Sequence, residues 1–371
     1  MAFRLTLLPS KYLMLLALLL GGTIISYKCH KDMQQAIRFV MQYNVMVLQS
    51  TASTDRKNVP SPLGDVLTME PLPVAGRSIF FIETSGVLKP RKEVVKNLLQ
   101  LTARQACAIE SAARHNPNLM VFVLFATPTY RQKEEKLPLI DAIRSYGNVQ
   151  LRQLNIRRYA LRTPINEWVK HGELFSSRYL VSHISDLLRF VTLYRFGGIY
   201  LDMDVVVLRS LEDVSLNYAG PESETHLAAG VMGMAPFGFG HEIAEACLRD
   251  FQQNFDGQKW GNNGPGVITR VAQKICATKN ISLMLADRKR CLGFRVFERN
   301  AFYAVPRKHW RHFFEPKYLE ETLELTRDSY LVHMWNKHSK QLPIKVGSST
   351  AYGKYAEQHC PKTYAAAGQY F

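Results

Sequence analysis

Residues 197–208, "GGIYLDMDVVVL", set two carboxylates, Asp202 and Asp204, one residue apart inside an apolar run. Read as one strand, alternation places both acids on one face and Met203 on the other. Two like charges this close repel, and left alone one of them takes a proton. A hard divalent cation removes the conflict, because carboxylate oxygens suit Mg²⁺ or Mn²⁺. Such an ion would also hold a diphosphate and neutralise charge on a leaving group. Gly197 and Gly198 let the backbone turn sharply into the strand. Alone, the pair also fits a strand end whose acids meet Arg or Lys.

The segment just before it favours a ligand site. "HISDLLRFVTLYRF" (183–196) predicts a helix stopped at Gly197-Gly198. Leu187, Leu188, Phe190, Val191, Leu193 and Tyr194 form its core side. Asp186 and Arg189, three apart, share another face. They read either as a simple helix ion pair or as a polar couple aimed at the same pocket as the acids. Beside two such acids the second reading is favoured.

Further out, "SIFFIE" (78–83), "LMVFVLFA" (119–126) and residues 149–154 predict strands, the middle one bounded by Pro117 and Pro128. Residues 91–115, 241–255 and 265–278 carry apolar positions at helical spacing. Strand, helix, strand, helix, strand predicts an α/β fold with a parallel sheet. Such sheets bind ligands beyond the carboxyl ends of their strands.

Residues 12–27, "YLMLLALLLGGTIISY", carry no charge, and Lys or Arg flank them on both sides. As a helix they would reach about 24 Å, a short bilayer span. No small-x-small cleavage site follows, so the run reads as a signal anchor rather than a cleaved signal peptide. The expected layout is a cytosolic tail (1–11), the anchor (12–27), a proline-bearing stem (28–77) and a lumenal catalytic domain (78–371). A span this short suits the thinner membranes of the early secretory pathway, and the expected placement is a single-pass type II protein of the Golgi membrane. The 371 residues include 47 Lys+Arg against 31 Asp+Glu, a net charge of +16 that suits an anionic partner. The anchor disfavours a nucleic-acid binder. None of the six cysteines forms a CxxC pair, which disfavours zinc. In a lumenal domain some should pair, and Cys276 with Cys291 is the best local pair. Asn280-Ile-Ser282 in the same polar loop is an N-glycosylation sequon.

"SDLLRFVTLYRFGGIYLDMDVVVL" (185–208) resembles the SD-x-x-R…GG-x-Y-x-D-x-D block of retaining nucleotide-sugar glycosyltransferases of the GT-A, Rossmann-like fold. "FFIETS" (80–85), "IESAARHNP" (109–117), "WGNNGP" (260–265) with "ITRV" (268–271), "AFYAVP" (301–306) and "VHMWNK" (332–337) resemble one branch. That branch is the lactosylceramide 4-alpha-galactosyltransferase and alpha-1,4-N-acetylglucosaminyltransferase family. The resemblance runs from about residue 78 to the end. It implies a mixed sheet, a UDP-sugar donor, Mn²⁺ or Mg²⁺, and a glycolipid or other glycan acceptor joined in an alpha-1,4 linkage with retention.

The same resemblance implies residue roles. Asp204 would ligate the metal, Asp202 would contact the ribose and support the metal, and His333 would be the last ligand or a diphosphate contact. Asp186 and Arg189 would bind the donor hexose, with Phe81 and Glu83 near the nucleotide. Tyr200 is a pocket or core aromatic. Gly264 and Pro265 would shape a loop beside the site, and Trp335, Asn336 and Lys337 would close it. One departure is Ala229, where the family carries Asn before a "GAF"-like segment, which points to a different sugar contact. Two other readings of the acid motif are a haloacid-dehalogenase-like phosphohydrolase with Asp202 as nucleophile and a non-enzymatic lumenal glycan-binding module. The first lacks a downstream acidic pair, and the second is disfavoured because both acids are present.

Overall fold

The computed structural model describes residues 60–88, 98–131 and 136–371, with the Arg288 side chain excepted. The predicted tail, anchor and stem up to residue 59 lie outside these residues, as do Cys29 and residues 91–97 of the predicted helix. Among the described residues no helix is long and apolar enough to cross a membrane.

The chain from Pro60 onward forms one unit. Its strands are β1 (Ser61–Pro62), β2 (Ser78–Glu83), β3 (Met120–Phe125), β4 (Tyr130–Arg131), β5 (Val149–Gln153), β6 (Gly198–Leu201), β7 (Val205–Val207), β8 (Tyr218–Pro221), β9 (Leu227–Met234), β10 (Arg295–Val296) and β11 (Leu331–His333). Seven of them make a sheet in the order β10-β8-β9-β6-β2-β3-β5. β6, β2, β3 and β5 run parallel, and β9 runs antiparallel to β6 and β8. The sheet is therefore mixed, as the resemblance implies, and not wholly parallel, as the strand–helix order alone predicts.

Both faces of the sheet are covered, which is why the central strands read as unbroken apolar runs. Ile79, Phe81, Val121, Val123 and Phe125 enter one core, beneath helix Ala103–His115 and helices Ala351–His359 and Pro361–Ala366. Phe80, Ile82, Phe122 and Leu124 enter the other, beneath helices Leu180–Phe196, Phe239–Gln253 and Pro265–Ile275. Within the described part of the helix expected over 91–115, residues 98–102 are not helical and the helix begins at Ala103. Thr102 caps it, accepting from the Gln105 N–H at 3.2 Å and donating its own N–H to Gln105 Oε1 at 2.9 Å.

Residues 60–77, assigned to the stem on composition, fold with the domain. β1 pairs with β4, Asp65 bridges Gln153, and Val66 is fully buried. Cys276 pairs with Cys291 as expected, and Cys107 pairs with Cys360 across 253 residues. Cys247 is free and buried. Asn280 is exposed and caps helix Ile281–Ala286 through its side-chain oxygen.

Candidate active site

The acid motif is not one strand. β6 ends at Leu201, residues 202–204 turn, and β7 starts at Val205 in a separate two-stranded ribbon with β11. A charged turn between two buried strands explains the pattern that alternation alone had placed on one face. Gly197 and Gly198 launch β6 with φ of 60° and 83°, and a Cβ on Gly198 would lie 2.4 Å from Ser78 O. Asp202 N–H donates to Gly230 O at 2.8 Å, which extends the β6–β9 ladder to the first acid.

The ribbon register sets His333 opposite Val205, beside Asp204. His333 Nε2 lies 3.2 Å from Asp204 Oδ1 and 3.7 Å from Asp202 Oδ2. Ligand atoms of Asp202, Asp204 and His333 all fall within 4.8 Å of one another. Two carboxylates and one imidazole at that spacing fit a divalent cation of the Mn²⁺ or Mg²⁺ type. Asn336 N–H donates to Asp204 Oδ2 at 2.8 Å, and Met334 N–H to Asp204 O at 2.7 Å. Trp335 stands at φ 53°, its N–H donating to His333 Nδ1 at 3.2 Å and its indole N–H to Val305 O at 3.0 Å.

Arg189 holds the other side. Its Nη1 meets Asp202 Oδ1 at 3.2 Å and donates to Ala229 O at 2.7 Å. Its Nη2 meets Asp186 Oδ1 at 3.2 Å and Ser185 Oγ at 3.0 Å. The guanidinium stacks over Tyr200, whose hydroxyl donates to Asp202 Oδ1 at 2.7 Å. Tyr200 is thus buried and still committed to the site. Burial works to raise the Asp202 pKa, but Arg189, His333 and Tyr200 outweigh it and pull the carboxyl down to about 2. Asp186 is pushed up to about 7, chiefly by burial, with Arg189 opposing and Asp202 adding to the rise. Burial also raises Asp204, and His333 only partly offsets it. Burial disfavours the His333 imidazolium, yet Asp204 and Asp202 raise its pKa overall.

The remaining expected residues divide. Gly264 sits where a Cβ would come 2.2 Å from Asp186 Oδ1, so only glycine leaves room for that carboxylate. Pro265 starts the helix that follows. Glu83 accepts from Gln105 Nε2 and from Ser85 N–H, on the wall of a cavity of about 440 Å³. The cavity opens at the carboxyl ends of β2 and β3 and is also lined by Thr102 and Thr127. Gln105 reaches Met203 Sδ at 3.8 Å, which ties the cavity to the acid turn. Lys337 Nζ lies 3.3 Å over the Trp260 ring. Phe81 does not join the site: it is wholly buried in the core, so its ring offers no surface to a nucleotide.

Several residues of the site were not singled out from the sequence. A Cβ on Gly230 would lie 2.8 Å from Asp202 Oδ2 and 3.2 Å from Tyr303 Oη. That buried phenol has no hydrogen-bond partner among the described residues. Asn263 secures the loop that carries Gly264: its Nδ2 donates to Asp256 O at 2.9 Å and meets His183 Nε2 at 3.1 Å. The quoted blocks contain Tyr303 and Asn263, but nothing local in them separates a site residue from a core one.

A mixed α/β sheet with an Asp-x-Asp turn at its carboxyl edge fits the glycosyltransferase class, and sequence comparison assigns it. Residues 102–224 match the glycosyltransferase sugar-binding region containing the DXD motif, and residues 236–367 match the alpha-1,4-glycosyltransferase conserved region. The chain is 32% identical over 294 residues to human (Homo sapiens) lactosylceramide 4-alpha-galactosyltransferase, covering 79% of this chain and 78% of that protein. It is 26% identical over 292 residues to human alpha-1,4-N-acetylglucosaminyltransferase, covering 78% of this chain and 80% of the relative. The solved PaToxG glycosyltransferase superposes at a TM-score of 0.38 and 14% identity, over 80% of this chain and 99% of its own. This chain belongs to the alpha-1,4-glycosyltransferase family.

Proposed function

We propose that the chain is a metal-dependent, retaining alpha-1,4-glycosyltransferase. It moves galactose or an N-acetylhexosamine from a UDP-sugar to a glycan acceptor, a glycosphingolipid first of all, from a type II anchor in the Golgi membrane. The observation that carries the reading is the meeting of Asp202, Asp204 and His333 beside the Asp186–Arg189 pair. Kinship with two alpha-1,4 transferases supports it.

Asp204, Asp202 and His333 would hold Mn²⁺ or Mg²⁺, which when bound neutralises charge developing on the departing diphosphate. Asn336 fixes the free oxygen of Asp204. Tyr200 and Arg189 fix one oxygen of Asp202 and leave the other toward His333. Asp186, with a pKa of about 7, can both accept from and donate to hexose hydroxyls near neutrality. Glu83, Ser85 and Gln105 offer polar groups to the nucleoside in the cavity beside the acid turn.

Transfer on one face of the sugar needs no covalent nucleophile. The donor C1–O bond to UDP breaks as the acceptor oxygen bonds to C1. The hydroxyl proton passes to the departing UDP oxygen. The test is to incubate the protein with Mn²⁺ and a panel of UDP-sugars, with and without lactosylceramide. Slow, metal-dependent hydrolysis of one UDP-sugar and faster transfer with acceptor are expected, and Asp204→Ala should abolish both. No preference for any UDP-sugar over other nucleotides would overturn the reading. An aspartyl-phosphate trapped on Asp202 would establish the phosphohydrolase instead.

A further inference from the structure

Trp260 is an indole left partly exposed, with 37% of its surface accessible. Its ring N–H donates to Ser182 Oγ at 3.2 Å, and Lys337 Nζ rests over it at 3.3 Å. Both anchors lead into the site. Ser182, Asp186 and Arg189 fall at i, i+4 and i+7 on one stripe of helix Leu180–Phe196. Lys337 follows Asn336, whose N–H holds Asp204. Contacts, chain neighbours and helical spacing together link these groups in a circuit: Asp204, Asn336, Lys337, Trp260, Ser182, Asp186, Arg189, Asp202.

The direction of the helix places Trp260 on the outer edge of that circuit. The helix begins where Thr84, just past β2, donates to Val181 O at 3.1 Å, at the carboxyl end of the sheet. Ser182 is therefore about one helical turn, roughly 5.4 Å, further out than Asp186. That step is about the breadth of one sugar ring. An indole fixed by a hydrogen bond and a cation–π contact loses little freedom on binding. Aromatic faces suit the C–H faces of pyranose rings.

We propose that Trp260 is the platform on which the acceptor's terminal sugar stacks, next to the donor hexose at Asp186 and Arg189. The proposal rests on the glycosyltransferase reading. It commits Trp260 to the sugar of the acceptor and not to its lipid.

The test uses the full chain in detergent with Mn²⁺. The donor is the UDP-sugar that the wild type hydrolyses fastest. The acceptors are the methyl glycosides of lactose, galactose and N-acetylgalactosamine, and lactosylceramide in phosphatidylcholine vesicles. Trp260→Ala should raise KM for the best soluble glycoside at least tenfold, while KM for the UDP-sugar in acceptor-free hydrolysis moves less than twofold. Trp260→Phe should recover part of the acceptor KM. Titrating that glycoside should quench tryptophan fluorescence in the wild type and not in Trp260→Phe. Equal loss of hydrolysis and transfer, unchanged transfer, or a loss seen only with vesicles would each overturn the proposal. A wild type that hydrolyses no UDP-sugar would instead overturn the function it rests on.

Discussion

Arg189→Lys tests how the site is held together. The guanidinium serves two acids from two different nitrogens, Asp202 on Nη1 and Asp186 on Nη2, both at 3.2 Å, and is only 6% exposed. It also donates to Ala229 O and Ser185. A lysine keeps the charge but concentrates its donors at one point, so it can serve one acid and not both. One lost charge-assisted hydrogen bond costs about 1.5–3 kcal/mol. Removing the cation entirely, as in Arg189→Met, leaves buried carboxylates uncompensated and costs about 3–5 kcal/mol. At about 2 °C per kcal/mol for a domain of this size, the midpoint should fall about 3–6 °C for Lys and about 6–10 °C for Met. Thermal unfolding in EDTA measures this, with donor KM measured in parallel. Adding Asp186→Asn to Arg189→Met should recover part of the loss, because one unpaired acid is gone. A Lys variant within about 1 °C of wild type with unchanged donor KM would refute the idea that the fork holds both acids.

Gly264→Ala should raise donor KM and cost about 1–3 kcal/mol, because its methyl would press on the Asp186 carboxylate; kinetics and urea unfolding check it. Breaking Cys276–Cys291, 15 residues apart, should cost about 3 kcal/mol, and breaking Cys107–Cys360, 253 apart, about 5, read from unfolding of Cys→Ser variants. Asp186 has a folded pKa raised to about 7, so the folded state binds its proton more tightly than the unfolded chain. Its contribution is full below the unfolded carboxyl pKa near 4 and is lost as pH rises through about 7. Metal-free wild type should therefore lose stability relative to Asp186→Asn between about pH 4 and 7, measured by unfolding across that range; parallel curves would show that Asp186 keeps an ordinary pKa.

The sequence disclosed what depends on local pattern. β2 and β3 were legible because strands covered on both faces are unbroken apolar runs, and β5, VQLRQ, by the alternation of its apolar residues. Asp186 and Arg189 were legible because helical spacing alone puts them together. The turn at 202–204 was not, since a strand and a strand–turn–strand share the same alternation. Phe81 was misplaced for a related reason: in a two-faced strand both parities are core, and proximity to Glu83 says nothing about which side chains reach a ligand. His333 was suggested by resemblance, but its place beside Asp204 comes from the β7–β11 register. Gly230 is brought to Asp202 by the β6–β9 ladder, and Tyr303 to Gly230 by tertiary packing, which no spacing encodes. The Cys107–Cys360 bond likewise joins helix Ala103–His115 to the end of Ala351–His359.

The acid turn spans a seam. Asp202 belongs to the large sheet through Gly230 and Tyr200, whereas Asp204 is secured by Met334 and Asn336 from the C-terminal part. A chain halted before residue 333 contains every strand of the central sheet and still lacks the cation cluster. Protection from proteolysis by added Mn²⁺ is then a maturation gauge: it registers arrival of the last segment, not collapse of the first.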